Sequence, residues 1–395
     1  MVSEEAVRSA MRGVIDPELG NDLVDLGMYQ GAQVAADGTV TVEVALTTAG
    51  CPLRSQISRD VKARIGSLEG VSSVQVRTTE MSPAQKKALM ARARERARER
   101  PAATDIPGRT RVLAVSSGKG GVGKSSVTVN LAAGLAARGY VVGLLDADIA
   151  GFSVPRMLGM DGALGASRGP DGEKLRIEPL AKPFGDGVVR VVSMGFLSPE
   201  DEAIMWRGLI LIRGVQHFLE DVAWGDLDYL LVDMPPGTGD VQMGLARMLP
   251  RAEMLIVTTP ALAAQKVAAR AADMARKGYL RVAGVIENMS GFECEHGDRY
   301  ELFGSGGGER LAAEIGAPLL ARIPIQAEVS TGGDRGSPAA VSGGPAEKVF
   351  AALVDAVLDV APVVEIESCT ARMLDAVEAA AGAAGPAQEA NSASQ

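Results

Sequence analysis

The spacing of hydrophobic and polar positions changes several times along the chain, and each change predicts a different kind of structure. After a helical opening, residues 39–46 alternate between polar and apolar side chains, which is typical of a half-buried strand. A helical stretch then runs to about residue 68, and residues 71–77 alternate again. We therefore predict a small α+β domain over residues 1–80, which contains a strand, a helix and a strand in sequence.

Residues 81–108 have a different pattern, rich in helix-forming and basic residues. Seven basic and two acidic side chains lie between Lys86 and Arg100. We predict a solvated helical linker here, and contact with nucleic acid or a membrane surface is the alternative for such a charged run. The prolines and the glycine of residues 101–108 should end the helix.

Residues 109–362 alternate short apolar runs with helical patterns. The runs that we predict to be buried strands are residues 112–115, 141–145, 188–192, 229–232, 254–257, 282–286 and 319–323. Strands separated by helices are typical of a parallel sheet with helices on both faces, so the predicted fold class is α/β. Residues 161–187 interrupt this order and predict a surface hairpin or loop. Residues 363–395 predict a short helix followed by a disordered tail.

Composition excludes several classes of protein. The 395 residues suit two or three domains, and three cysteines are too few, and odd in number, for a disulfide framework. The opening residues lack the basic and apolar regions of a secretory signal, so we expect a reduced, cytoplasmic protein. No apolar run approaches the ~20 residues that span a membrane, and the net charge of −9 argues against a general nucleic-acid binder. We therefore expect no stable membrane insertion and no nucleic-acid partner.

The most specific motif is G-K-G-G-V-G-K-S at residues 118–125, which fits the phosphate-binding pattern G-x-x-x-x-G-K-S/T. A predicted strand leads into it and a predicted helix follows it, as this P-loop pattern requires. Its glycines allow backbone N–H groups to surround phosphates at the positive end of the helix. Lys124 would neutralise the β- and γ-phosphates, and the Ser125 hydroxyl would ligate Mg²⁺. The predicted ATP-binding residues of the loop are Gly118, Lys119, Gly120, Gly121, Val122, Gly123, Lys124, Ser125 and Ser126.

Three aspartates follow predicted strands, at the strand ends where parallel sheets bind ligands. Asp146 and Asp148 follow residues 141–145, and Asp233 follows the apolar run 230–232. A buried strand that ends in aspartate has the Walker B form, in which Asp233 would hold Mg²⁺ through water. A single aspartate in such a place is also typical of a helix N-cap, but three elements in this order favour a nucleotide site.

A second lysine, Lys119, lies inside the loop, and this K-G-G-V-G-K-S/T form is called the deviant Walker A. On these residues, the chain resembles the class of dimeric P-loop ATPases that contains MinD, ParA and the nitrogenase iron protein. The resemblance implies that Lys119 contacts ATP across a homodimer, that Asp148 positions the attacking water and that Asp146 lies near the metal. It also implies that Asn288 reads the adenine edge, for which a plain cap of the next turn is the alternative. Lys119, Lys124 and Asp148 are therefore the expected catalytic residues of a slow ATPase that times a conformational cycle.

Further motifs indicate which family within this class the chain resembles. D-A-D-I, V-P-R-M-L-G, M-W-R-G, V-D-M-P-P-G-T-G-D and E-N-M-S resemble the Mrp/ApbC family of iron–sulfur cluster carrier ATPases over residues 108–345. D-P-E-L at 16–19, V-D-L-G at 24–27 and T-T-A-G-C-P at 47–52 resemble the SufT/PaaD-like domain often fused to that family. The resemblance implies a homodimer that binds a 4Fe–4S cluster at its interface and transfers it to apo-proteins, with cluster scaffolds as further partners.

One position departs from the family pattern, in which a C-x-x-C pair from each subunit holds the cluster. Here the residues are Cys294, Glu295, His296 and Gly297, so the second cysteine is missing. Cys294 and His296 from two subunits would form a Cys₂His₂ set for a cluster or for zinc. Alternatively, two Cys294 thiolates are completed by Cys51 or by a client protein. A third hypothesis is a branch without a stable cluster, in which ATP drives a scaffold or loading step.

Cys51 and the C-terminal segment each admit two interpretations. Cys51 precedes a predicted helix, whose N-terminus would lower the pKa of its thiol, but a small buried cysteine fits as well. A positioning switch of the MinD or ParA kind is the alternative function, and it requires a basic amphipathic C-terminal helix or a basic surface. Residues 363–378 are acidic instead, so we favour the cluster carrier over this switch and over a scaffold whose nucleotide sets only its dimer state.

Overall fold

The computed structural model describes most of the chain. The described residues are 2–16, 21–47, 53–82, 84–86, 88–89, 106–148, 151–168, 175–196, 209–237, 248–249, 251–277 and 280–363. Cys51, most of the basic linker, the M-W-R-G motif and the C-terminal tail lie outside these segments. The predictions made for those parts, and the exact domain boundaries, therefore stay predictions.

The N-terminal domain contains a three-stranded sheet and two helices. In chain order, its elements are α1 (Glu4–Met11), β1 (Tyr29–Val34), β2 (Thr39–Leu46), α2 (Arg54–Gly66) and β3 (Ser73–Glu80). β2 is central, antiparallel to β1 and parallel to β3. The predicted strand, helix and strand are β2, α2 and β3. The pattern misses β1, because the register of β1 against β2 shifts at Gly31 and interrupts the alternation.

The larger domain is built on a nine-stranded sheet. Its strands are β4 (Arg111–Ser116), β5 (Val141–Asp146), β8 (Leu180–Phe184), β9 (Gly187–Val192), β10 (Tyr229–Asp233), β11 (Glu253–Thr258), β12 (Arg281–Glu293), β13 (Arg299–Tyr300) and β14 (Leu319–Ile325). Their order is β13-β12-β11-β4-β10-β5-β9-β8, and β14 also pairs with β12. Only β8 and β13 are antiparallel to their neighbours among the described strands of this sheet. The seven predicted strands are confirmed, and they form the parallel part.

Helices cover both faces of this sheet. They are α3 (Lys124–Ala137), α4 (Val154–Leu158), α5 (Leu209–Glu220), α6 (Leu262–Lys277), α7 (Gly307–Ile315), α8 (Ala327–Asp334) and α9 (Pro345–Val360). Leu131 of α3 and Phe350 of α9 belong to one buried cluster. Phe218 of α5 and Ala272 of α6 belong to another. Because alternate residues of the strands enter the two clusters, both faces of the sheet are buried, which confirms the predicted α/β fold class.

The charged, glycine-rich interruption is a hairpin followed by an edge strand. β6 (Gly165–Arg168) and β7 (Leu175–Glu178) pair antiparallel, and β8 then joins the large sheet beside β9. β12 is longer than its apolar run, because its end pairs with β13 in a second hairpin. The turn of that second hairpin carries Cys294. No described helix is long and apolar enough to cross a membrane.

The two domains meet where the parallel strands of the large sheet begin. Arg111 and Glu253 are the first residues of β4 and β11. Arg111 pairs with Asp60 of α2 at 3.1 Å, and Arg64 of α2 donates to the Ala252 carbonyl. The phosphate-loop motif follows the other end of β4. We call these the amino edge and the carboxyl edge of the sheet; the N-terminal domain lies at the first and the predicted nucleotide site at the second.

Candidate nucleotide-binding site

The loop between β4 and α3 contains the predicted phosphate-binding motif. Gly123 precedes α3 with a φ of 80°, a left-handed conformation that favours glycine. A Cβ atom at this position would lie 2.2 Å from Nδ2 of Asn288, so the close approach also requires glycine. Asn288 donates from Nδ2 to the Val122 carbonyl at 2.9 Å. A residue of β12 therefore stabilises the loop after β4.

The remaining predicted residues of the motif lie in the same turn. Gly118 packs so closely against α6 that a Cβ atom would lie 2.2 Å from the carbonyl carbon of Val267. Gly120 and Gly121 are exposed. Ser126 lies in the first turn of α3, and its carbonyl accepts the side-chain amide of Asn130 at 2.8 Å. The loop is thus held from both sides, while Gly120 and Gly121 face solvent.

Lys124 and Asp233 form a buried ion pair at the start of α3. Nζ of Lys124 lies 2.7 Å from Oδ1 of Asp233, and the two side chains are 6% and 1% exposed. The Ser125 hydroxyl donates to Oδ2 of Asp233 at 2.6 Å, and the Thr128 hydroxyl lies 2.9 Å from Oδ1. Three donors from consecutive turns of one helix thus converge on the carboxylate that ends β10.

A second buried carboxylate, Asp146, lies beside this pair. It ends β5 and is in register with Asp233 of the neighbouring strand β10. Oδ2 of Asp146 accepts the Ser193 hydroxyl at 3.0 Å and the Val154 N–H at 3.4 Å. Burial, and then the charge of Asp233, raise the pKa of Asp146 to about 7, although Lys124 opposes the shift. The site therefore holds two adjacent carboxylates and one lysine, which a divalent cation would stabilise.

Two other predicted catalytic residues lie at the margin of the site. Asp148 is half-buried, and its backbone N–H donates to Oδ1 of Asp146 at 3.3 Å. Burial raises the pKa of Asp148, and the charge of Lys124 opposes this shift. Lys119 is exposed, and its carbonyl accepts the Ser117 hydroxyl at 3.0 Å. Lys119 therefore presents its side chain to solvent, whereas Lys124 presents its side chain to the buried carboxylates.

This set of groups fits a nucleotide with its magnesium ion. Mg²⁺ prefers oxygen ligands, which Ser125, Asp146 and Asp233 supply. Phosphates bind at helix N-termini preceded by glycine-rich loops, and α3 begins at such a loop. The site can therefore accept phosphate groups and hold a divalent cation between them and the two carboxylates.

Three residues of the site are not among those that the sequence analysis predicted. Thr128 and Ser193 donate to the two buried carboxylates. Thr128 follows Lys124 by one helical turn, and Ser193 follows β9, so their spacing could have indicated them. Met289 has a φ of 55°, the one positive value outside glycine among the described residues. Strained backbone of this kind concentrates at functional sites, and no sequence signal predicts it here.

Two of the predicted cluster ligands, Cys294 and His296, lie in the β12–β13 turn, also at the carboxyl edge. Cys294 is partly buried and His296 is exposed. The Cys294 N–H donates to the Asp298 carbonyl at 3.0 Å, and Gly297 has a φ of 86°, which a cysteine would adopt only with strain. Within the described segments, no three His, Cys, Asp or Glu side chains are grouped to hold a metal ion.

The fold and the site define the class of protein, a P-loop NTPase with a second lysine in its phosphate loop. A family model described as NUBPL iron-transfer P-loop NTPase matches residues 108–358, and a model described as iron-sulfur cluster assembly protein matches residues 4–77. The chain therefore belongs to the NUBPL iron-transfer P-loop NTPase family and carries an iron–sulfur cluster assembly domain at its N-terminal side. This confirms the resemblance inferred from the motifs.

Proteins named iron-sulfur cluster carrier protein are similar to most of this chain. The one from Mycobacterium tuberculosis is 44% identical over 344 residues, which cover 85% of this chain and 88% of its own length. The one from Synechocystis sp. is 43% identical over 345 residues, which cover 87% and 92%. A solved nucleotide-binding protein from Archaeoglobus fulgidus in complex with ADP is 35% identical, covers 57% of this chain and 86% of its own, and has a TM-score of 0.47. The family assignment rests on the sequence matches.

Proposed function

We propose that this protein is a magnesium-dependent ATPase that carries iron–sulfur clusters to apo-proteins. The observation that carries the proposal is the convergence of Lys124, Ser125 and Asp233 at the start of α3, beside the second carboxylate of Asp146. Relatives at 43–45% identity share the name iron-sulfur cluster carrier protein, which supports the second half of the proposal. The small number of cysteines suits the reducing cytoplasm.

Each side chain of the site has a role in phosphoryl transfer. Lys124 neutralises charge on the β- and γ-phosphates, while Ser125 and Asp233 hold Mg²⁺ with Asp146 beside them. The ion supplies positive charge to the phosphoryl group when it is bound. Asp148, at the margin of the buried cluster, orients the attacking water. Because these groups act by position and charge alone, we expect slow hydrolysis coupled to a conformational cycle.

A homodimer would complete the site. Lys119 is exposed beside the phosphate loop, where it suits contact with the nucleotide of a second subunit. Large apolar side chains are exposed at the same carboxyl edge: Leu262 is 65% exposed, Leu302 59% and Phe303 47%. Exposed apolar patches mark protein interfaces. We propose that a second copy of the chain covers this surface.

Cys294 is the proposed cluster ligand. In a homodimer, two Cys294 thiolates would contact a cluster that ordinarily takes four ligands. His296 of each subunit, Cys51, or a thiolate of the client protein would supply the others. The remaining hypothesis is an ATPase that assists loading without holding a cluster itself. Each hypothesis predicts a different metal content for the same small set of variants.

Anaerobic reconstitution separates these hypotheses. Wild type, Cys294→Ala and His296→Ala are loaded with iron and sulfide or with zinc, and metal, sulfide and absorption are measured. We expect a cluster in the wild type that Cys294→Ala abolishes and that passes to an apo-protein. Loss in His296→Ala as well would support the Cys₂His₂ set. Full metal content in Cys294→Ala would rule Cys294 out as a ligand.

Gly297→Cys restores the C-x-x-C pair and tests the proposed ligand by a gain of iron and sulfide binding. Strain at this positive φ costs the new residue roughly 1 kcal/mol, but no atom lies within 4 Å of the added Cβ. We expect more iron and sulfide per chain than in the wild type. Gly304→Cys is the matched control, because Gly304 also has a positive φ of 83° and open space around its Cβ. An equal gain from Gly304→Cys would show binding to added thiols in general.

A further inference from the structure

Three neighbouring strands of the large sheet end in a row of polar side chains at the carboxyl edge. β10 ends at Asp233 and β5 ends at Asp146, in register with each other. β9 pairs with β5 so that Val192 lies beside Leu145, and Ser193 therefore follows beside Asp146. Both Asp146 and Ser193 are fully buried. The row thus contains two buried carboxylates and, next to the second, one buried hydroxyl.

The hydroxyl of Ser193 has a defined direction. Its Oγ accepts the N–H of Gly195 at 3.1 Å and lies 3.0 Å from Oδ2 of Asp146. An N–H group donates hydrogen bonds, whereas an ionised carboxylate only accepts them. Because the N–H of Gly195 cannot accept, the hydroxyl proton of Ser193 points to Asp146. Such a charge-assisted hydrogen bond is roughly twice as strong as one between neutral groups.

The two oxygens of Asp146 have different numbers of donors. Oδ2 accepts the Ser193 hydroxyl, the Ser153 N–H at 3.3 Å and the Val154 N–H at 3.4 Å. Among the residues that the structure describes, Oδ1 accepts one bond, from the Asp148 N–H at 3.3 Å. A carboxylate oxygen can accept about two hydrogen bonds or metal contacts in good geometry. Oδ2 is therefore fully used, and Oδ1 can still accept a further partner.

We propose that Ser193 is a positioning residue, whose hydroxyl fixes the Asp146 carboxylate so that Oδ1 stays available to the magnesium ion. The inference rests on the proposed function, in which Asp146 lies beside the ion that Ser125 and Asp233 hold. Groups that hydrogen-bond to a metal-binding carboxylate orient it, and their loss typically weakens metal binding or activity about 10- to 100-fold. Because the Ser193 hydroxyl is committed to Asp146 and Gly195, it acts on the ion only through the carboxylate.

The hydroxyl is the strongest of the contacts that hold Oδ2. Ser193→Ala leaves Oδ2 with the two backbone N–H groups, whose distances of 3.3 and 3.4 Å exceed the usual N–O distance of about 2.9–3.0 Å. The Asp146 side chain then loses its shortest contact and can turn Oδ1 away from the ion. A purely structural hydroxyl would instead lower the stability of the fold and leave metal affinity as it was. Metal affinity therefore separates the two roles.

Binding of Mn²⁺ in place of Mg²⁺ to the full chain tests the proposal. Electron paramagnetic resonance distinguishes Mn²⁺ bound to the complex of protein and ADP from free Mn²⁺ and from Mn²⁺ on free ADP. We expect Ser193→Ala to weaken Mn²⁺ binding to this complex about 10-fold or more. The affinity for ADP without metal should stay that of the wild type, because Lys124 and the phosphate loop bind the phosphates.

Three further variants locate the effect. Ser193→Thr keeps the hydroxyl and should restore Mn²⁺ binding. If Ser193→Ala does not fold, Ser193→Gly also removes the hydroxyl and should weaken Mn²⁺ binding in the same way. Thr110→Val is the matched control, because it removes a buried hydroxyl that donates to the Leu227 carbonyl at the amino edge. It should lower stability and leave Mn²⁺ binding unchanged.

Several outcomes would overturn the proposal. One is wild-type Mn²⁺ affinity in the variant that lacks the Ser193 hydroxyl. Another is an equal loss of affinity in Thr110→Val, because the loss would then follow from any missing buried hydroxyl. A folded Ser193→Thr that binds Mn²⁺ as weakly as Ser193→Ala would also contradict it. A wild type that binds no Mn²⁺ with ADP would contradict the proposed ATPase itself.

Discussion

The carboxyl edge and the amino edge of the large sheet both bury charged side chains, but they pair them differently. At the carboxyl edge, Lys124, Ser125 and Thr128 all donate toward Asp233. Asp146 lies beside them, with a pKa raised to about 7. Two carboxylates therefore share one lysine, and part of their charge has no fixed partner within the site.

At the amino edge, Asp60 and Glu253 each have an arginine of their own. The Asp60–Arg111 and Glu253–Arg281 pairs have N–O distances of 3.1 and 2.9 Å. Both arginines also donate to backbone carbonyls near the end of α9. These contacts connect the N-terminal domain, the first residues of the strands and the last described helix. The amino edge thus joins parts of the chain.

The two edges of the sheet therefore differ in role: the amino edge holds parts of the chain together, and the carboxyl edge carries the candidate nucleotide site. Matched ion pairs with further hydrogen bonds hold elements in place, and their energetic value is mainly the penalty for breaking them. Adjacent carboxylates with perturbed pKa values are typical of functional sites, because a bound cation relieves their repulsion. Removing charge should therefore have opposite consequences for stability at the two edges.

The largest expected effect is on hydrolysis at the carboxyl edge. Lys124→Ala should lower ATP hydrolysis roughly 100- to 1000-fold, because one preorganised cation at the phosphates is lost. Phosphate release at saturating ATP measures this. The matched control is Lys266→Ala, an exposed lysine of α6, which should retain the wild-type rate. Wild-type hydrolysis in Lys124→Ala would contradict both the site and the proposed ATPase.

Asp146→Asn, at the same edge, should lower the rate of ATP hydrolysis but raise the stability of the protein. The amide keeps an oxygen for Ser193 and the backbone but removes the charge beside Asp233. We expect ATP hydrolysis to fall roughly 10- to 100-fold, as for other changes next to a metal. In the absence of nucleotide and metal, the variant should nevertheless unfold at a higher temperature than the wild type at pH 8.

The sign of this second effect follows from the raised pKa of Asp146. The folded state of the wild type binds this proton more tightly than the unfolded state, whose aspartate has its ordinary pKa near 3.8. Stability of the wild type should therefore fall as pH rises from about 4 to about 7. Asp146→Asn should weaken that dependence. A variant that is less stable than the wild type at pH 8 would show that the carboxylate repulsion is unimportant.

The smallest expected effect is at the amino edge. Asp60→Asn weakens the ion pair with Arg111. Because the side chains of Asp60 and Arg111 are only 21% and 13% exposed, the change should lower the free energy of unfolding by roughly 1 kcal/mol. Urea unfolding measures this. Asp355→Asn breaks the exposed Arg138–Asp355 pair and should have a smaller effect. Asp60→Asn should keep the wild-type rate of ATP hydrolysis, and a slower rate would show that the two edges are coupled.

The parallel strands and the phosphate loop could be predicted because their signals are local. A short apolar run between helical patterns specifies a strand that is buried on both faces. A run of glycines before a lysine specifies how the backbone turns around a phosphate. The prediction misses β1 and β13, since neither has a continuous apolar pattern and each depends on the strand beside it. Thr128 and Ser193 have a local signal, one turn after Lys124 and at the end of a strand, but their roles become visible only in the carboxylates that they contact.

By itself, the sequence determined the α/β class, the parallel strands, the nucleotide loop and the absence of a second cysteine after Cys294. Only the tertiary structure decided which charges meet. Lys124 reaches Asp233 across 109 positions, and Asp146 comes into register with Asp233, because β10 lies between β4 and β5 in the sheet. The same strand order places Asp60 and Arg64 at the opposite edge, against Arg111 and the start of β11. Contacts of this range depend on how strands cross over in the sheet, which no local pattern of residues encodes.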